Sequence, residues 1–177
     1  MNPVPAVPIE AELLVIGYGN SLRRDDGVGP RVAETVEELQ LPGVRTLVCQ
    51  LLSPEHADPI ARARRVIFVD AAVDRMDGVH FRKLEPGETS QLMAHAADPC
   101  TMLALARDVF GHAPEAWWLT IPAIHLGFGT DYSAETEAGF QQAVAEIKRL
   151  AAGFCSGGTN KSQAVDNFRK AGGDKPA

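Results

Sequence analysis

No apolar run in this sequence approaches the ~20 residues that a membrane-spanning helix needs, which excludes a helical membrane protein. Cysteine is scarce: Cys49, Cys100 and Cys155 are scattered, with no C-x-x-C pair. That speaks against a disulfide framework and for free thiols in a reducing compartment. Basic charge is not in excess. The 17 Lys and Arg stand against 23 Asp and Glu, giving a formal net charge of -6 and a pI near 5.3. A nucleic-acid binder would show a basic face, so that class is set aside. The opening MNPVPAVPIEAE has no basic segment and is interrupted by prolines, unlike a secretory signal. It is expected to be a flexible leader over 1–10, and the protein is expected in the cytoplasm. G-x-S-x-G, H-E-x-x-H and a paired Cys–His motif are also missing, which leaves the usual serine, zincin and cysteine mechanisms without support. No internal repeat is present.

What is there fits an ordinary globular chain: 177 residues, 45% hydrophobic, with a mean hydropathy of -0.08. That length is usual for one domain, placed here over 11–152. From Gly153 the composition turns to Gly, Lys, Asn and Ser, which predicts a disordered tail over 153–177.

The stretch 13–30, LLVIGYGNSLRRDDGVGP, organises the rest. Leu13, Leu14, Val15 and Ile16 read as a buried strand. Gly17 and Gly19 break it. Asp25 and Asp26 follow a basic pair, Arg23 and Arg24, and Gly29-Pro30 opens a helix. Strand, glycine turn, acidic loop and helix form the kind of loop where open α/β sheets keep their chemistry. A dinucleotide loop would require G-x-G-x-x-G. Here the third glycine position holds Leu22, and two carboxylates would repel a pyrophosphate. A metal or a cationic group suits the loop better. Helix capping would account for one of the two acids.

The patterns beyond it alternate. Val28, Val32, Val36 and Leu39 share a helical face over 29–40, stopped by Pro42-Gly43. A strand is expected over 44–50, with Cys49 a small buried hydrophobe. Ser53-Pro54 starts a helix to about Arg64, with His56 on its surface. Arg62, Arg64 and Arg65 read as a solvated basic cluster, with an acidic partner as the alternative. Val66 to Val69 form a continuous apolar run, the mark of a central strand covered on both faces. Asp70 ends that run. A carboxylate buried there calls for a metal, a cation or hydrogen-bond donors. Asp74 and Asp77-Gly78 read as a turn. A short strand follows over 78–84, with His80 exposed. His95 precedes a helix capped by Asp98-Pro99 and ended by Gly111; alone, it reads as a packing or surface residue. His112 is expected exposed. A strand over 116–122 carries half-exposed tryptophans, and a glycine-broken loop holds His125, a minor candidate ligand. Ser133 caps a last helix to Ala151. This order predicts an α/β fold: three layers, a mostly parallel twisted sheet with helices on both faces, and 78–84 as an antiparallel edge.

G-Y-G-N-S-L-R-R-D-D-G-V-G resembles the opening motif of the hydrogenase maturation endopeptidases. V-I-F-V-D-A-A looks like that family's second motif, and H-A-A-D-P-C-T-M-L-A-L-A-R like its third. The resemblance covers roughly 13–151. It implies that Asp26, Asp70 and His95 are metal ligands and the catalytic set. Two carboxylates and an imidazole suit a borderline divalent ion such as nickel or zinc. By resemblance, the ion is nickel carried by the substrate, a nickel–iron hydrogenase large-subunit precursor, with zinc or cadmium able to substitute in vitro. The implied activity is removal of that precursor's C-terminal extension after nickel insertion. Lewis-acid polarisation and activation of a bound water remain alternatives for the cleavage. Asp25 would hold Asp26 or the loop in place. A non-catalytic nickel-dependent chaperone of the same precursor is the competing class, and a nucleotide-binding oxidoreductase a third.

Overall fold

The computed structural model describes residues 7–73, 77–87 and 98–155. Five strands and four α-helices follow in chain order: β1 (Leu13–Tyr18), α1 (Val28–Glu38), β2 (Val44–Cys49), α2 (Ala57–Ala61), β3 (Arg65–Ala72), β4 (His80–Leu84), α3 (Pro99–Phe110), β5 (Glu115–Pro122) and α4 (Ala134–Cys155). They form one sheet in the order β2-β1-β3-β5-β4. All neighbours pair parallel except β4, which pairs antiparallel to β5 at the edge. The expected three-layer architecture is therefore present.

Side chains alternate across a strand, so each strand feeds two cores. Leu13, Val15, Ile67, Val69 and Leu119 face α1 and α4. Leu14, Ile16, Val66 and Phe68 face α2 and α3. Burial on both faces explains why β1 and β3 read as unbroken apolar runs. Each such side chain contributes ~1.5–3 kcal/mol when fully buried.

Two glycines set how closely α1 lies over the sheet. A Cβ at Gly17 would stand 2.0 Å from the Gly29 carbonyl oxygen, and one at Gly29 would stand 2.5 Å from the carbonyl oxygens of Tyr18 and Val69. The G-x-G and G-V-G spacings are thus packing requirements. Asp98 caps α3 by accepting the Thr101 N–H at 3.1 Å, and Gly111 ends it with φ 74. The Ser133 hydroxyl accepts the Thr136 N–H at the start of α4.

Several expectations are corrected. The helix expected over 53–64 is a 3₁₀ turn, Pro54–His56, followed by the short α2. It ends early because Ala63 bridges to Ala11 in extended conformation. His56 is half-buried, its Nδ1 accepting the Ser53 N–H at 2.9 Å. The basic cluster serves the fold's own acids: Arg62 pairs with Asp58 and Glu10, and Arg64 with Glu12. Arg65 is buried, with its guanidinium 4.2 Å from the Phe154 ring centre. Glu10 and the Val7 N–H, which bonds the Phe110 carbonyl, tie part of the expected leader to the domain. Helix α4 runs on to Cys155, and Trp117 is buried rather than half-exposed. His80 is half-buried and pairs with Asp77 at 2.7 Å. His112 is likewise half-buried, 3.3 Å from the Ala63 carbonyl. Asp74, His95 and 156–177 lie outside the described residues. Among the described residues, no helix is long and apolar enough to cross a membrane.

Candidate active site

The sheet order puts a switch point between β1 and β3. The chain leaves β1 toward β2 on one side, and leaves β3 toward β4 and β5 on the other. The crevice outside the carboxyl ends of such a pair is where α/β sheets bind ligands. Asp26 lies in the loop after β1, and Asp70 lies near the end of β3.

The two adjacent acids have different roles. Asp25 is fully buried. Its carboxylate accepts the N–H groups of Ile124 and His125, each at 2.8 Å, and that of Ser133, also at 2.8 Å. Against the cost of burial, these three donors hold the carboxyl down at about 2. Asp25 is therefore the clamp that fastens the loop after β5 to the opening motif. Its own N–H returns a bond to the His125 carbonyl. His125 contributes its backbone to this clamp, while the residue itself is exposed.

Asp26 turns the other way. It is half-buried, and its Oδ2 accepts the Asn20 N–H at 3.1 Å. Asp70 is half-buried, its Oδ1 accepting the Ala71 N–H at 2.8 Å. Burial pushes the Asp70 carboxyl up to about 6. The nearby Asp26 charge adds to the rise, and the Tyr18 hydroxyl and the Ala71 N–H oppose it. The structure thus brings Asp26 and Asp70 into electrostatic contact. A carboxyl displaced by burial and by a like charge in a cleft is a mark of a functional site. That cleft, of about 470 Å³, is lined by Asp70, His80, Arg82, Trp118 and Thr120 among others.

Tyr18 was not singled out in the sequence. Continuing the Ile16–Phe68 pairing by two residues puts Tyr18 beside Asp70 on the same face. The buried Tyr18 hydroxyl has no well-formed hydrogen bond, and burial beside Asp70 drives its pKa far upward. The only sequence signal was the two-residue period along both strands.

Cys49 has a thiol pushed up to about 11, first by burial and then by the Glu55 charge, so it is no thiolate nucleophile. Among the described residues, no three His, Cys, Asp or Glu side chains gather as a metal-binding group. Asp26 and Asp70 supply hard oxygen donors, and their mutual repulsion is what a cation would relieve. They fit part of a divalent-ion site.

No protein-family model matches the sequence, and no curated protein does. Solved structures do. The chain is similar to the [NiFe] hydrogenase maturation protease HybD from Thermococcus kodakarensis, with 25% identity and a TM-score of 0.60, covering 79% of this chain and 99% of that one. This chain has the fold of the hydrogenase maturation proteases. Two further solved structures share the fold. The hydrogenase maturating endopeptidase HybD from E. coli is 23% identical with a TM-score of 0.63, covering 82% of this chain and 94% of that one. The maturation protease HycI from Thermococcus kodakarensis KOD1 is 19% identical with a TM-score of 0.57, covering 80% and 91%. In this chain, the clamp made by Asp25 and the carboxylate pair Asp26–Asp70 occupy the sheet's switch point.

Proposed function

We propose that this protein is an endopeptidase that removes the C-terminal extension of a nickel–iron hydrogenase large-subunit precursor after nickel insertion, recognising the bound metal. The observation that carries the reading is the paired carboxylates Asp26 and Asp70 at the switch point of a hydrogenase maturation protease fold. Asp26 and Asp70, with His95 as third ligand, would engage the nickel that the precursor brings. Two or three ligands leave coordination positions for groups of the substrate. A divalent ion held there supplies Lewis-acid polarisation or a bound water of lowered pKa.

The chain's own residues do the positioning. The Asn20 N–H orients Asp26, and the Ala71 N–H orients Asp70. Asp25 fixes the loop that flanks them.

The test is cleavage of a nickel-loaded precursor, with the released tail followed by mass. The wild type should process it, and Asp26→Asn, Asp70→Asn and His95→Ala should each lose at least ~100-fold in rate, as expected for groups at the reacting centre. If a verified precursor is bound but never cut, the protein is a maturation chaperone instead. If only His95→Ala retains activity, the function stands and the third ligand is reassigned.

A further inference from the structure

Tyr18 ends β1 between two glycines, and it is only 8% exposed. A phenylalanine would fill the same space without putting a hydroxyl into the core. Burying a hydroxyl is unfavourable unless it is hydrogen-bonded. Yet the Tyr18 hydroxyl and the Trp118 indole N–H are both buried without a well-formed hydrogen bond. Such groups in a native fold call for a reason.

Strand register supplies one. Residues paired across neighbouring strands point to the same face. Ile16 pairs with Phe68, Phe68 pairs with Trp118, and Asp70 pairs with Thr120. Two residues beyond the Ile16–Phe68 pair, Tyr18 stands beside Asp70. Trp118 precedes Thr120 by two residues and is therefore diagonal to Asp70. Tyr18, Phe68 and Trp118 all belong to the core under α2 and α3, so Asp70 shares that face. Both the Asp70 carboxylate and the Trp118 indole act on the Tyr18 hydroxyl directly. Donor chemistry sets the order. An indole N–H only donates and a carboxylate only accepts, whereas a hydroxyl does both. The direction is Trp118 to Tyr18 to Asp70.

The hydroxyl reaches Asp70 from behind. Asp70, Trp118 and Thr120 line the cleft, and Tyr18 does not. Its oxygen is sealed from solvent. Tyr18 therefore touches nothing in the cleft and acts only through Asp70. That carboxylate needs a second hold. The Ala71 N–H ties Oδ1 at 2.8 Å, and the like charge of Asp26 pushes against the group. One tie sets the carboxylate plane loosely, because the last torsion of Asp has broad wells. Carboxylates that ligate metals are themselves hydrogen-bonded from behind.

We infer that Tyr18, backed by Trp118, is a positioning residue whose hydroxyl holds the Asp70 carboxylate in the plane that, with Asp26, receives a divalent cation. The inference rests on the proposed endopeptidase function, in which Asp70 engages the metal. It gives the buried hydroxyl a task that phenylalanine could not perform.

The test titrates zinc into the metal-free full chain by calorimetry, beside thermal melting and processing of the nickel-loaded precursor. Asp70→Asn should lose zinc binding, which identifies the site. Tyr18→Phe removes one oxygen and keeps the ring. It should bind zinc at least about tenfold more weakly than the wild type. Trp118→Phe removes the donor behind the hydroxyl and should weaken binding by a smaller factor. Without metal, Tyr18→Phe should melt no lower than the wild type, since it deletes a poorly satisfied buried hydroxyl. Zinc affinity in Tyr18→Phe within about twofold of the wild type overturns the inference. A loss of affinity accompanied by a lower metal-free melting temperature also overturns it, because packing then explains the loss. So does a wild type that binds no zinc, or an Asp70→Asn variant that still binds it. The two readings fail separately. A precursor that is bound but never cut removes the endopeptidase reading, while the zinc affinities still decide the role of Tyr18. Normal cleavage by the wild type, with zinc affinity unchanged in Tyr18→Phe, keeps the function and removes that role.

Discussion

At the scale of single residues, Asp25 and Asp26 differ only in which way the backbone aims them. Asp25 points inward and collects three N–H groups from a loop about a hundred positions away; Asp26 accepts the Asn20 N–H and its charge acts on Asp70. Asp25→Ala leaves three half-buried backbone N–H groups without their acceptor, and it should cost ~2 kcal/mol in urea unfolding. The acid dependence follows from its depressed pKa. The folded carboxyl titrates at about 2 against an unfolded value near 3.8, so its stabilising effect is complete above about pH 4 and lost as pH falls toward 2. The wild type should lose stability over that window more steeply than Asp25→Asn. Asp70 has the opposite sign. Its folded value of about 6 lies above the unfolded one, so ionisation works against the fold, and stability declines as pH rises from about 4 to about 6. With no metal added, Asp70→Asn should melt higher than the wild type at pH 8, by up to ~2 kcal/mol of stability, and the gap should close at pH 4. An unchanged melting point at pH 8 would count against a destabilising, buried carboxylate.

At the scale of elements, close backbone approach and terminal packing decide the outcome. Helix α1 sits over β1 and β3 only because Gly17 and Gly29 have no side chains. Gly29→Ala meets two carbonyl oxygens rather than a movable side chain, and it should destabilise by ~3 kcal/mol or prevent folding. Circular dichroism melting checks this. The end of α4 carries Phe154, whose ring centre lies 6.1 Å from that of Trp117 and covers the Arg65 guanidinium. Phe154→Ala should cost ~1–2 kcal/mol, less than a fully buried phenylalanine, because the ring is only half-buried. The expected boundary at 152 falls inside this helix. A glycine at 153 and the polar run beyond it masked the continuing helical period at Phe154.

At the scale of the whole molecule, the strand order governs both stability and site. β1 is paired on both sides by β2 and β3, and β3 by β1 and β5, while β2 and β4 each have one partner strand. Hydrogen exchange should therefore be slowest in β1 and β3 and faster in the edge strands β2 and β4. The same order puts the loops after β1 and β3 at the centre of the carboxyl rim, flanked by those after β2 and β5. The carboxylate pair and the donors behind it are consequences of one topology.

The sequence by itself determined which segments form strands and helices, the parallel sheet with one antiparallel edge, and the motif that carries Asp26 and Asp70. Those features are written in short-range periods and caps, and in glycine spacings that local sterics enforce. The separate tasks of Asp25 and Asp26 were legible only through the family resemblance; the sequence did not show which N–H groups Asp25 gathers, bring Tyr18 beside Asp70, or bury Arg65 under Phe154. Each of these depends on partners tens to a hundred positions away, joined by strand register and by hydrogen bonds between loops. Neighbouring residues of like chemistry carry no local mark of such partners. Only the tertiary structure, by choosing which backbone groups face which carboxylate, decided them.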